Sequence, residues 1–318
     1  MQSSTQVALS SKIKLFQSLN DFCSGRQGLA CRLEYHINQP IYYAMRIPKK
    51  RGGERIIHAP NEELKAIQKS LNVFLQRLYN LYRPNAVHGF VKRNKGGESR
   101  GIISNAKEHV GQAYLLNMDL ADFFPNISTK QIKACLCDSP VGMPENLATL
   151  IALLCTYEKK LPIGAPTSPV LANMQCYQMD LALMAFCESK NIRYSRYADD
   201  LSFSANKLFD KVSIQELQQL IQSFGFNINH KKTRQQYHTS KQVVTGLVVN
   251  EKVNVDRRYR KRLRAVLYSC KTQGPFIALA KHKKHLNGKS MDEKQFMSHL
   301  IGQVNFVRGV RGEGTPSI

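Results

Sequence analysis

Apolar residues along the chain switch between helical and strand periods. After Asn61, the residues Leu64, Ile67, Leu71, Phe74, Leu75, Leu78 and Leu81 recur at the 3.6-residue period of one helix face, and Asn61 is placed to cap that helix. The run A-Y-L-L-N-M, from Ala113 to Met118, reads as a buried strand ending at Asp119. Ser128 and Gln131 have the spacing of a capping box, and residues 145–157 predict a further helix. A long helix is expected from Val170 to Ser189, and Ser213 with Glu216 marks one that stops at Gly225. Tyr259, Leu263, Val266, Leu267 and Cys270 share one helical face near the C-terminus, and residues 1–45 read as helical.

Turn chemistry separates these elements. In I-P-K-K-R-G-G-E-R-I-I-H-A-P, paired glycines between strand-like flanks predict a basic hairpin. R-Y-A-D-D-L lies between the strand-like runs N-I-R-Y-S and S-F-S-A and predicts a second hairpin, and V-V-T-G-L-V-V-N-E-K-V-N-V predicts a third. The prolines and glycine of L-P-I-G-A-P-T-S-P require a rigid loop. Hairpins mixed with helices predict an α+β fold, an antiparallel sheet with helices packed on one face. The glycines of the C-terminal G-V-R-G-E-G-T-P-S-I read as a mobile tail.

Charge then changes the picture. The chain has 318 residues, of which 42% are apolar, enough for a large core and more than one subdomain. It carries 46 Lys and Arg against 23 Asp and Glu, a net charge of +23. A surplus of that size calls for a polyanionic partner, above all nucleic acid. Residues 251–318 hold 15 Lys or Arg against 5 Asp or Glu. There Arg257, Arg258, Arg260, Lys261, Arg262 and Arg264 surround the apolar face, which reads as a small helical module touching nucleic-acid backbone. The eight cysteines include Cys135-x-Cys137 but no C-x-x-C pair, so they read as reduced residues of a cytoplasmic protein rather than a zinc site. No run of 18 apolar residues and no apolar leader is present, so no membrane association is expected.

Against this basic background, Asp199 and Asp200 stand side by side at a turn, and Asp119 ends a strand about 80 residues earlier. If the two elements are neighbours in one sheet, Asp119 and Asp199 meet. Carboxylates gathered this way suit Mg²⁺, and two such ions would relieve their repulsion and clamp an in-line phosphoryl transfer. Neighbouring strand residues face opposite sides, so Asp199 is expected to bridge the ions and Asp200 to be the weaker or outer ligand.

Y-A-D-D in a hairpin, with N-M-D-L-A-D-F-F-P-N-I upstream and L-P-I-G-A-P-T-S-P-V-L-A-N between, resembles the motif series of reverse transcriptases across roughly residues 46–265. N-A-x-x-H at Asn105, Ala106 and His109, and V-T-G at Val244, Thr245 and Gly246, resemble motifs of the bacterial retron branch, as does the overall length. Read locally, Asn105 and His109 equally fit a helix cap and a satisfied polar side chain.

The resemblance implies a right-hand fold. Residues 1–110 would form N-terminal helices and fingers, 111–250 the palm with finger segments, and 251–318 a basic helical thumb. It implies catalytic, metal-binding roles for Asp119, Asp199 and Asp200, with a backbone group of Leu120 beside them. Phe124 resembles the steric gate that favours dNTPs, with Phe123 in the core, and Arg55 and Lys49 or Lys50 resemble the fingertip that grips the triphosphate. Gly164 would allow close approach to the nucleotide, although Ile163 stands where many relatives have Gln. Lys231 or Lys232 would serve the pyrophosphate leaving group. Asn105, His109, Thr245, Arg257, Arg258, Arg260, Arg262 and Arg264 would contact RNA. The implied cofactor is a pair of Mg²⁺ ions, with Mn²⁺ as a substitute. The implied partners are dNTPs, a cognate noncoding RNA, the RNA–DNA hybrid made from it by 2′-hydroxyl priming, and an effector protein in phage defence. The alternatives are an intron-encoded or diversity-generating reverse transcriptase, or an RNA-binding protein without catalysis.

Overall fold

The computed structural model describes residues 29–48, 52–91, 99–282 and 291–312. Lys49, Lys50, most of the N-terminal stretch expected to be helical and the last six residues lie outside the described residues. Helix α1 (Leu29–Asn38) leads into an antiparallel hairpin, β1 (Tyr42–Pro48) and β2 (Glu54–Pro60). The chain is thus already a strand at Tyr42, within the segment expected to be helical. Helix α2 (Glu62–Tyr79) follows, capped as expected by the Asn61 side chain, which accepts from the Leu64 amide at 3.0 Å. It ends before Leu81, which is therefore exposed rather than part of the buried stripe.

The centre is a four-stranded antiparallel sheet in the order β4–β5–β3–β6, built from β3 (Tyr114–Asp119), β4 (Arg193–Tyr197), β5 (Asp200–Ala205) and β6 (Arg234–Tyr237). Strand alternation gives the sheet two different faces. Leu116 and Met118 of β3, with Leu201 and Phe203 of β5, enter the main hydrophobic core. On the other face Asn117 and Asp119 lie beside Ser202 and Asp200, and Asn117 accepts a hydrogen bond from the Gln236 amide of β6. The helices expected on one face are there: α7 (Tyr177–Ser189) packs behind β4, with α8 (Lys211–Ser223) against it.

Local signals explain most boundaries. α4 (Thr129–Cys137) opens with the expected Ser128–Gln131 capping box, and α5 spans Glu145–Cys155. The single helix expected from Val170 to Ser189 is instead two, α6 (Ser168–Gln175) and α7, which meet at Cys176. Asp210, not Ser213, caps α8: its carboxylate accepts from the Ser213 amide at 2.7 Å, while Glu216 pairs with Lys190 across the surface. An ionised Asp outcompetes a serine hydroxyl for the free amides of a first turn.

A second core gathers Ala106 of α3 (Ile102–Lys107) and Val244 and Leu247 of the short hairpin β7 (Val243–Val244) and β8 (Leu247–Val248). It continues through Leu263 of α9 (Arg257–Gln273) and Ala278 of α10 (Pro275–His282) to Phe296 of α11 (Glu293–Arg311). Leu263 and Val266 of the expected α9 face are buried, while Arg257, Arg258, Arg262 and Arg264 are exposed. Cys135, Cys137, Cys155, Cys176, Cys187 and Cys270 are free thiols. Among the described residues no helix is long and apolar enough to cross a membrane.

The β1–β2 hairpin is fastened to the centre through the proline-rich loop. The His58 amide donates to the Ile163 carbonyl at 2.7 Å, and Gly164, at φ +117°, leaves no room for a side chain: a Cβ there would sit 2.6 Å from Ile57 Cγ2. Gly164 thus permits a close approach of the loop to the β2 strand. Gly164→Ala is expected to cost more than about 1 kcal/mol, since it combines a forbidden backbone conformation with a clash. Thermal unfolding, with hydrogen exchange over Glu54–Pro60, measures the loss and shows whether the hairpin loosens.

Candidate active site

Strand pairing puts Asp119 directly opposite Asp200, each on the polar face and each at a strand end. Asp199 is not on the strand but in the two-residue turn before it, which begins with Ala198 at φ +58°. The strand-alternation argument that ranked Asp199 over Asp200 therefore does not apply, because only Asp200 is a strand residue. The Leu120 amide donates to the Asp199 carbonyl at 2.9 Å and locks the turn against the end of β3. Leu120 thus spends its amide inside the protein, which leaves its carbonyl as the backbone group it can offer.

The carboxylates repel one another. Asp200 is pushed up to about 6 by its loss of water and then by the charges of Asp199 and Asp119. Asp199 is also raised, first by burial and then by Asp119, with Lys232 and Arg55 pulling it back. Asp119 is buried and is bridged by the Lys232 ammonium, which lies 2.7 Å from Oδ1 and 2.9 Å from Oδ2.

These groups open into a cavity of ≈ 800 Å³. Arg55 of β2 lines it on one side, Asp119 and Asp200 on another, and Lys231, Lys232 and Arg234 on a third. Thr245 completes the wall, its hydroxyl donating to the Ile102 carbonyl at 3.3 Å. The cavity thus joins two acids, Asp119 and Asp200, to a rim of cations, with Asp199 in the adjoining turn, a surface suited to a polyphosphate held by metal. Among the described residues no three His, Cys, Asp or Glu side chains close into a ready-made metal cage. A magnesium ion would need only one or two of the carboxylates here, its remaining positions being filled by water and substrate phosphate. The ammonium on Asp119 marks where positive charge is already accommodated.

Phe123 is buried in the core as expected, and Phe124 is half-buried beside it with ring centroids 5.2 Å apart. Phe124 also faces Phe90 at 6.1 Å, and Phe90 in turn faces Tyr197 at 6.5 Å. Phe90 escaped the sequence reading because its place depends on a contact between segments far apart in the chain.

Two expected RNA contacts are corrected. Asn105 and His109 are fully buried, so neither offers a surface to RNA. The His109 ring bridges two strands, with Nδ1 2.7 Å from Ser204 Oγ and Nε2 2.7 Å from Ser195 Oγ, and the Ser195 hydroxyl donates to Asn105 Oδ1 at 2.7 Å. Burial, and then the neighbouring His88 and Arg193, lower the ring to about 3 and keep it neutral. The motif is a strut that ties α3 to β4 and β5 on the face of the sheet that carries the acids. Arg257, Arg258, Arg262 and Arg264 do face solvent, while Arg260 is half-buried near Asp256 and Lys241.

A family model described as "Reverse transcriptase (RNA-dependent DNA polymerase)" matches residues 47–249. That span contains the three acids, Arg55 and Lys232, and ends before the arginine-rich α9. The chain is 32% identical over 306 residues to the retron Mx65 reverse transcriptase of Myxococcus xanthus, covering 88% of this chain and 65% of that one. It is 34% identical over 232 residues to the retron Ec86 reverse transcriptase of Escherichia coli, covering 71% of this chain and 69% of that one. The chain therefore spans about two-thirds of the length of these curated relatives. Among solved structures, a telomerase from Candida albicans, in complex with a fragment of telomeric RNA, aligns with a TM-score of 0.48 at 12% identity, covering 84% of this chain and 60% of that one.

The stacked acids have a measurable signature. An extra proton binds the native state at Asp200, so this group's contribution to stability falls as pH rises through about 6. In protein freed of divalent ions with a chelator, Asp200→Asn is expected to raise the thermal midpoint at pH 8. At pH 5 the gain should shrink. Thermal unfolding of both proteins at the two pH values checks the sign.

Proposed function

Because this chain belongs to the reverse transcriptase (RNA-dependent DNA polymerase) family, on its bacterial retron branch, we propose that it copies a dedicated noncoding RNA into DNA. The observation that carries the reading is the pairing of Asp119 with Asp200, with Asp199 in the adjoining turn, on the floor of a cation-rimmed cavity. In this reading residues 1–110 carry the N-terminal helices and fingers, 111–250 the palm with finger segments, and 251–318 the thumb.

Asp119, Asp199 and Asp200 hold two Mg²⁺ ions, for which Mn²⁺ substitutes. When bound, the ions neutralise the acids and stabilise the charge of an in-line nucleotidyl transfer. Arg55 grips the triphosphate from the finger side; its planar fork matches phosphate oxygens. Lys232, once released from Asp119, stands within the same cavity to donate a proton to the departing pyrophosphate, and Lys231 steadies that charge. Phe124 closes the space a ribose 2′-hydroxyl would need, so dNTPs are preferred. Thr245 contacts the RNA strand at the cavity wall. Arg257, Arg258, Arg260, Arg262 and Arg264 hold the RNA–DNA duplex by its phosphates.

Synthesis starts from a 2′-hydroxyl within the noncoding RNA and leaves DNA joined to it through a 2′–5′ branch. The product, with an effector protein, serves defence against phage. The test is to purify the chain from its native cells and treat the bound nucleic acid with nucleases and a debranching enzyme. DNA that stays tied to RNA until debranched is the expected result; unbranched DNA would discard the priming step, and RNA alone the polymerase.

Asp199→Ala is expected to abolish DNA synthesis while RNA binding, read by filter retention, stays within about twofold, because the RNA grip is phosphate-based and lies elsewhere. Phe124→Ala is expected to reduce the preference for dNTP over NTP by about 10–200-fold, the range for removing one steric contact. Single-nucleotide incorporation with each substrate measures it.

A further inference from the structure

The apolar face of the central sheet contains one fully buried charge, Arg196 of β4, directly behind the turn that carries Asp199. Its guanidinium makes a two-pronged pair with Asp180 of α7: Nε donates to Oδ1 at 2.8 Å and Nη2 to Oδ2 at 2.6 Å. Both side chains are sealed from solvent. The Tyr194 hydroxyl donates to the same Oδ1 at 2.7 Å. The remaining prong, Nη1, donates to Asn173 Oδ1 at 2.9 Å and to the Ala198 carbonyl at 3.1 Å. That carbonyl belongs to the first residue of the turn.

A second line of force reaches the same residue. Asn173 passes a hydrogen bond to the Gly89 carbonyl at 2.9 Å, and Gly89 lies so close to the turn that a Cβ there would be 2.5 Å from the Ala198 nitrogen. The segment around Gly89 is itself pinned to Arg196: its amide donates to the Ala86 carbonyl at 2.8 Å, and its carbonyl accepts from the His88 amide at 2.9 Å. Ala198 is thus held from behind by a side chain and wedged by a glycine, while the Leu120 amide holds Asp199 from the other side.

A buried ion pair is weak as a source of stability, since desolvating two charges offsets most of their attraction. What this pair does without a substitute is aim a rigid donor at the turn. We propose that Arg196, oriented by Asp180 and Asn173, is a positioning residue that sets the Asp199 and Asp200 carboxylates against Asp119. The inference rests on the reading of these acids as the metal-binding centre.

Two variants test it. The double variant Arg196→Met with Asp180→Leu replaces the pair with apolar side chains, a change that is often neutral for folding. Gly89→Ala displaces the turn without touching a charge. Each is expected to fold and to bind RNA. Each should lose roughly 10–100-fold in kcat, the penalty for displacing reacting groups by a fraction of an ångström to an ångström. The Mg²⁺ concentration for half-maximal synthesis should rise, with Mn²⁺ recovering part of the loss. Hydrogen exchange over residues 194–203, read without substrate, should accelerate. Folded variants with wild-type metal requirement and wild-type exchange in the turn would overturn the proposal, even if their thermal midpoints were lower. If the double variant does not fold, Gly89→Ala decides by the same readings. Failure of the wild-type chain to make DNA would overturn the polymerase reading instead, and the exchange measurement would still decide whether Arg196 sets the turn.

Discussion

Mutual repulsion among three carboxylates is the constraint around which this chain is arranged. Asp119 and Asp200 are register partners, and like charges opposite one another weaken a sheet. The fold supplies opposing restraints: Lys232 bridges Asp119, Arg55 and Arg234 lend positive potential, and backbone hydrogen bonds seize the turn. Each restraint comes from a different part of the chain. The β1–β2 hairpin, the loop before β6 and the strand end at Leu120 converge on the acids, and the cost of assembling them is the condition for presenting three carboxylates together.

The same sheet serves two environments through its two-residue period. One face is hydrocarbon and fixes the helices; the other carries amides, hydroxyls and carboxylates that open into the cavity. A slip of one residue in the β3–β5 register would bury the acids and expose Leu116 and Phe203. Structural stability and site geometry are therefore secured by one register, and the large apolar residues of β3 and β5 protect the chemistry without touching it.

Much of this was legible in the sequence. The A-Y-L-L-N-M-D strand, the Y-A-D-D turn, the Asn61 cap and the Ser128 box are local signals, and each maps onto the element it announced. What remained hidden depends on tertiary partners. The resemblance assigns Asn105 and His109 to RNA, while their local sequence fits a satisfied polar side chain equally well; what decides is tertiary, since the serines that satisfy His109 lie on strands about 90 residues away. The need for glycine at position 164 likewise comes from a distant strand, through Ile57. Arg196 stood next to the acids in the sequence, but nothing local says that its charge points inward, since Asp180 and Asn173 come from two other helices.

The short hairpin β7–β8 joins the cavity to the C-terminal helices. Val244 and Leu247 are embedded in the core shared with α9, α10 and α11, while Thr245 and Gly246 between them form part of the cavity wall. The hairpin is therefore a thin partition fastened from one side. Movement of the basic helices as a rigid body would drag that wall with it, so the position of those helices and the width of the cavity are mechanically one variable.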